Sequence, residues 1–285
     1  MGTKSKRRRQ QFLVEYPTCY LCGGLNPSTT VDHVPPRACF PRGYAPEGFE
    51  FPACDACNQS SRAEDKIFGF WTMALNFDST TAEDRERIIQ LMTEIAKDCP
   101  QDIEAIQRAV PISMLGRVAT PRPIAFEIRT PDSLDHAADM ISIKLTHALY
   151  FRETKKYLNP AHRFAGSIYQ PQVAGTEQFT SYITSLLPNL SLGTRPNIKN
   201  YGDRFAYRSG YKEDEDFFFY ASQFGHGLMA WGIVCGPNIE PPTDGLLAKA
   251  QWRNGAWGAT RNQSQERSIL VQKPDADLLL SRTQA

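Results

Sequence analysis

The sequence predicts an α+β fold: a small cysteine-rich module near the amino end, then helices, then a larger carboxy-terminal α+β domain built on an antiparallel sheet. Three observations predict it. Two C-x-x-C pairs, Cys19/Cys22 and Cys54/Cys57, bracket a segment of strand character. Apolar residues recur at three- and four-residue spacing from Ile67 to Leu75 and from Leu134 to Ala148, which is helical periodicity. Asp203 to Tyr211, Asp216 to Phe224 and Leu228 to Cys235 follow one another with only turn-like or charged residues between them, as in a meander of strands. With 285 residues the chain has room for two cores, and 41% hydrophobic positions with a net charge of +1 exclude a disordered class.

Taken in order, residues 1–15 open with Lys4, Lys6, Arg7, Arg8 and Arg9 and are expected to form a basic tail. Residues 1–62 hold eight Lys/Arg against five Asp/Glu, about +3, and the remainder 24 against 26, about −2, so the positive excess travels with the cysteine module. Such a segment attracts a phosphate backbone, although short basic tails also serve only solubility. The module itself is expected over 16–78. Thr29 to Val34 is rich in β-branched residues and halts at Pro35-Pro36, Phe49 to Phe51 is a second strand, and a helix is expected from the second cysteine pair to Asn76. Thr81 with Asp84 resembles an acidic capping box opening a helix with Ile88, Met92 and Ile95 on one side, and a shorter helix covers Gln101 to Val110, so 79–110 reads as a helical segment. The proline-bearing stretch 111–123 reads as a linker into the domain at 124–285, with a strand at Ala125 to Ile128 and a helix opened by Asp132 or Ser133.

Seven cysteines is an odd number for a disulfide framework, and two C-x-x-C pairs read as a metal site instead. Gly23-Gly24 supply the turn after the first pair, and the second pair sits where a helix begins. Four thiolates then close a tetrahedron around one Zn²⁺ with no open position, so the zinc is expected to be structural. Cys39, Cys99 and Cys235 read as small apolar fillers.

Chemistry must come from what the zinc holds in place. Asp32-His33-Val34-Pro35-Pro36 lies between the two pairs and Asn58 directly follows the second. A neutral imidazole can accept a proton from water, and a carboxylate with an amide oxygen can hold a hard Mg²⁺-type cation. From Cys19 to Asp65 the pattern resembles the HNH endonucleases, in the subtype whose treble-clef or ββα-metal fold carries a four-cysteine zinc site. The resemblance implies His33 as general base, Asp32 and Asn58 as ligands of a catalytic Mg²⁺ or Mn²⁺, and hydrolysis of nucleic-acid phosphodiesters, with DNA as the expected partner. The family's middle Asn falls at Phe49, which leaves the group that orients the base unassigned. On one continuous helix Asn58, Arg62 and Asp65 share a face, which would let Arg62 grip the scissile phosphate and Asp65 join the metal or pair with Arg62. A zinc-stapled nucleic-acid- or protein-binding module with a degenerate nuclease centre is the alternative.

The most apolar stretch, Gly227 to Gly236, is too short to span a bilayer, and the amino end lacks an apolar signal region, so a cytoplasmic chain without membrane partners is expected. The carboxy-terminal domain is expected to supply recognition, a homodimer contact or a partner-protein contact. His136, His147, His162 and His226 lack motif context, Phe217 to Tyr220 reads as sheet core, and Lys144 to Lys156 is a basic, aromatic helical stretch that either touches DNA or shields a helix.

Overall fold

The computed structural model describes residues 3–77, 81–103, 132–171, 181, 204–242, 247 and 250–257. The expected linker at 111–123, the strand at Ala125 to Ile128 and most of the helix from Gln101 lie outside the described residues. What is described is mixed helix and sheet, with antiparallel sheets and a four-cysteine cluster near the amino end.

Residues expected as a tail form helix α1 (Thr3–Glu15). A two-stranded hairpin follows, β1 (Thr30–His33) and β2 (Glu50–Ala53), joined by a loop with a 3₁₀ turn at Arg37–Cys39. The register pairs Thr30 with Ala53, Asp32 with Phe51 and His33 with Glu50. β1 ends where Pro35 and Pro36 withhold backbone donors. After the hairpin come α2 (Asp55–Gln59), α3 (Arg62–Leu75) and α4 (Ala82–Asp98). The expected single helix from the second cysteine pair is thus two helices. They part at Ser60 and Ser61, where Ser61 leaves helical geometry with φ −119° and ψ 15°, so Asn58 stands on one helix and Arg62 and Asp65 on the next.

Helix α5 (Asp132–Thr154) runs through the centre of the molecule. Its far side packs on a five-stranded antiparallel sheet of order β4-β5-β6-β3-β7, formed by β3 (Arg163–Tyr169), β4 (Ala206–Lys212), β5 (Phe217–Phe224), β6 (Leu228–Cys235) and β7 (Arg253–Asn254). Close approach requires glycine at the paired positions Gly166 and Gly232, where an added Cβ would lie 2.9 Å from Ser142 Oγ and 2.6 Å from Thr146 Oγ1. On its near side α5 meets α3, and its Lys144 and Phe151 reach Asp32 and Phe51 of the hairpin. Every residue from Met140 to Phe151 is buried, as befits a helix covered on all sides. One apolar core therefore joins Cys19, Phe51 and Phe68 to Leu145, Phe218 and Phe224, and the outer face of the sheet carries a second cluster around Phe219, Trp231 and Ile233. The aromatic run is split between the two, Phe218 and Tyr220 inward, Phe219 outward. Among the described residues no helix is long and apolar enough to cross a membrane.

Candidate metal centre and the carboxylate–lysine cluster

The sulfurs of Cys19, Cys22, Cys54 and Cys57 all lie within 4.8 Å of one another. Zn–S bonds of about 2.3 Å in a tetrahedron require sulfurs about 3.8 Å apart, so the four thiolates could hold a structural ion such as zinc with small adjustments. Local backbone explains the convergence. Gly23 and Gly24 adopt φ of 66° and 81°, turning the first pair back on itself so that the Gly24 N–H donates to the Cys19 carbonyl at 2.9 Å. A side chain at Gly23 would also strike the Leu158 carbonyl at 2.8 Å, so the turn sits directly on the segment following α5. The second pair opens α2, with the Asn58 N–H donating to the Cys54 carbonyl at 3.0 Å, and the Thr29 hydroxyl accepts from the Asp55 N–H at 3.1 Å. Hydrogen bonding from Cys57 outweighs burial and lowers the Cys19 thiol to about 5, while Cys57 is raised in exchange, so the cluster readily carries a thiolate.

Strand β1 divides the other candidate residues by face. Thr30 and Asp32 point inward and Val31 and His33 outward, following the two-residue alternation of a strand. Asp32 is 3% exposed. Its Oδ2 accepts from the Tyr20 hydroxyl at 2.7 Å and its Oδ1 from the His33 backbone N–H at 2.8 Å. Lys144 reaches it from α5, with Nζ 3.3 Å from Oδ2 and 3.4 Å from Oδ1. The same ammonium donates to both oxygens of Asp65 on α3, at 2.9 and 3.0 Å. Lys144 is 0% exposed, and one fully buried cation thereby ties the hairpin, α3 and α5 together. Burial works against its charge, but the two carboxylates overcome burial and raise the ammonium pKa. Burial pushes the Asp65 carboxyl up, Lys144 pulls it down and Asp32 adds to the rise, which leaves it at about 7.

The two expected ligands have different neighbours: Asp32 meets Lys144, and Asn58 meets Thr30. Asn58 turns its amide to Thr30, donating from Nδ2 to Oγ1 at 2.9 Å, and Arg62 is exposed at the start of α3. Asp65 faces Lys144 instead of Arg62. A catalytic Mg²⁺ or Mn²⁺ at Asp32 would stand against the Lys144 ammonium, and two cations on one pair of buried carboxylates repel. These residues do not fit a hard divalent ion beside Lys144.

His33 lies outside this cluster, on the partly open face. Its Nε2 is 3.6 Å from Glu50 Oε1, the residue directly opposite it across the hairpin. Burial and the nearby Arg37 lower the imidazole pKa, against the opposing pull of Glu50 and Asp32, which favours the neutral ring. Phe49, at the position of the missing Asn, is buried beneath the Arg152 guanidinium, 4.2 Å from its ring centroid. Glu50 is the acidic neighbour of His33 that sequence reasoning did not single out, because only the hairpin register brings the two together. Lys144 was missed as well. Its signal was a lone charge among the apolar helix positions Ile141, Ile143, Leu145, Ala148 and Leu149. Tyr20, lying between the cysteines of the first pair, carried no signal of its own.

Beside Glu50 a cleft of about 330 Å³ opens between α1 and α5. Arg8, Arg152 and Lys155 supply positive charge around Tyr16 and Phe151, with Glu15 and Glu50 opposing. Compared with known proteins, the chain matches no family model, no curated protein and no solved structure.

Proposed function

We propose that the chain is a zinc-stapled, HNH-like nucleic-acid-binding module whose nuclease centre is degenerate. The observation that carries this reading is the Lys144 ammonium seated on Asp32 and Asp65, in the interior where a hydrolytic cation would have to sit. The order hairpin, helix, with one cysteine pair on a glycine turn and the other on a helix start, is consistent with the treble-clef or ββα-metal expectation. Affinity for a polyanion is supported by α1, which exposes Lys6, Arg7, Arg8 and Arg9 on a helix anchored to the hairpin by the Arg9 guanidinium at the Thr29 carbonyl, and by the basic cleft beside it.

A second reading, a metal-dependent HNH-type endonuclease acting on DNA with His33 as general base, is favoured by Glu50, whose carboxylate lies 3.6 Å from the His33 ring, so that a small side-chain rotation would let it orient the imidazole. One pair of experiments separates the two. Zinc-loaded protein is titrated into labelled duplex and single-stranded DNA at several salt concentrations, and supercoiled plasmid is incubated with Mg²⁺ or Mn²⁺ and wild type or His33→Ala. Salt-dependent binding without cutting is expected. Divalent-dependent cutting that disappears in His33→Ala establishes the endonuclease, and absence of affinity for either nucleic acid at low salt moves the reading to a protein partner.

A further inference from the structure

Asp216, Tyr150, Tyr211 and His162 form a network in which Asp216 accepts from both tyrosines at 2.9 and 2.7 Å and meets His162 Nε2 at 3.1 Å, so its capacity is spent in holding α5 to the sheet. His147 is 1% exposed and packs edge-on against Phe164 and Trp257. The basic cleft belongs to the function already proposed. The carboxylate–lysine cluster carries more.

We propose that Lys144 is the resident cation of a two-carboxylate cation site, formed by Asp32 on β1 and Asp65 on α3, and that this site accepts a divalent metal ion once the lysine is removed. The inference rests on the degenerate-centre reading and states how the centre became closed. All four carboxylate oxygens lie between 2.9 and 3.4 Å from one point, the ammonium nitrogen. Oxygens so arranged about a single cation are the donor set that Mg²⁺ or Mn²⁺ requires, after a contraction of about 1 Å to bonds near 2.1 Å. Tyr20 braces Asp32 from behind, and its hydroxyl is engaged as a donor to the carboxylate. Truncating Lys144 to alanine vacates the path of a four-carbon stem along α5, leaves two acidic groups facing each other, and provides room for an ion with one or two waters. One ammonium is shared by both carboxylates at distances of 2.9 to 3.4 Å. Because Lys144 is 0% exposed, the charge is fixed by the fold itself.

The test uses zinc-loaded full-length protein and Mn²⁺ followed by electron paramagnetic resonance. Wild type is expected to show no saturable Mn²⁺ site that depends on Asp32 or Asp65. Lys144→Ala is expected to bind one Mn²⁺ per chain, at least about tenfold tighter than wild type, to melt at higher temperature when Mn²⁺ is present, and to lose both properties in Lys144→Ala combined with Asp65→Asn. The wild-type arm stands even where Lys144→Ala fails to fold, because an Mn²⁺ site in wild type that is lost in Asp32→Asn overturns the proposal. A folded, zinc-loaded Lys144→Ala that binds no Mn²⁺ overturns it too. Failure of the underlying reading looks different, since it appears as divalent-dependent plasmid cutting by wild type.

Discussion

Two charge clusters lie side by side in the amino-terminal half, and they solve the same problem in opposite ways. Four cysteine sulfurs within 4.8 Å of one another could take their cation from outside, as a bound metal ion. Two carboxylates a strand away, Asp32 and Asp65, carry their cation on the chain. A metal held by the first cluster would make folding depend on metal supply, whereas the second makes the packing of hairpin, α3 and α5 depend on one side chain. An imported ion leaves the cluster sensitive to chelators and an internal ammonium does not, which is the contrast that experiments should break or sharpen.

The largest effect is expected from the thiolate cluster. Structural zinc binding in small fingers is worth on the order of 10 kcal/mol and doubles as folding free energy. Cys19 and Cys57 belong to the same apolar core as Phe51, Phe68 and Leu145, so unfolding there should not stay local. Chelation, or Cys57→Ser, is expected to release one zinc per chain and to abolish the cooperative thermal transition seen by circular dichroism. An unchanged melt after verified zinc loss would show that the cluster is not a stabilising metal site.

Next comes the internal cation. Lys144→Met keeps the stem and deletes the charge, which strands Asp32 and Asp65 in the interior. Removing one partner of a buried ion pair typically costs about 3–5 kcal/mol, and urea unfolding should register a loss of that size with zinc content unchanged. Neutralising all three groups together, Asp32→Asn, Asp65→Asn and Lys144→Met, should recover most of it. A Lys144→Met variant as stable as wild type would mean that the carboxylates simply take up protons, and the two clusters would no longer be comparable.

Much of this architecture was legible in the sequence, and the physics explains which parts. The cysteine pairs, the break at Pro35-Pro36, helix α5 from Asp132 and the strands β4, β5 and β6 all follow from local pattern, because spacing, proline and alternation act within a few residues. The break at Ser60 and Ser61 was not legible, since neither serine is a strong helix breaker and the apolar periodicity resumes at Ile67. The site was legible only in its local members. Asp32 and His33 are named by their motif, but the partners that decide their chemistry come from register and from tertiary packing. Glu50 meets His33 because two strands pair in one particular alignment, and Lys144 meets Asp32 across 112 residues of sequence. Strand β3, which lies between β6 and β7, was missed because Arg163 to Tyr169 has a glycine and a serine where alternation should show.

A smaller effect, and a pH-dependent one, is expected inside α5. Burial lowers His147 to about 3, the backbone near Tyr20 opposing weakly and His162 adding to the fall. The unfolded chain takes up that proton near pH 6.5 and the folded chain declines it until about pH 3. Stability from this residue is therefore fully present above pH 6.5 and is lost on acidification, at up to about 1.4 kcal/mol per pH unit. His147→Phe, which keeps an aromatic edge for Phe164 and Trp257, should flatten the fall of urea midpoints between pH 6.5 and 5. An unaltered slope would assign acid sensitivity to other groups.

The smallest effect concerns His33, where the two faces of β1 part company. On the inner face charge is locked by Lys144, whereas on the outer face the imidazole exchanges protons under competing influences. Burial and Arg37 hold its pKa down, and Glu50 and Asp32 pull it up. Glu50→Gln removes one upward pull, so a proton titration of the His33 ring by NMR should show a still lower pKa; Arg37→Ala should move it the other way. Stability at pH 7 should change by only about 0.5 kcal/mol in either variant, because Arg37 is exposed and Glu50 half-buried. If Glu50→Gln leaves the ring's titration unmoved, the carboxylate does not govern the imidazole. The observation favouring an endonuclease would then be gone, and the closed cluster behind Asp32 would stand as the decisive feature of the module.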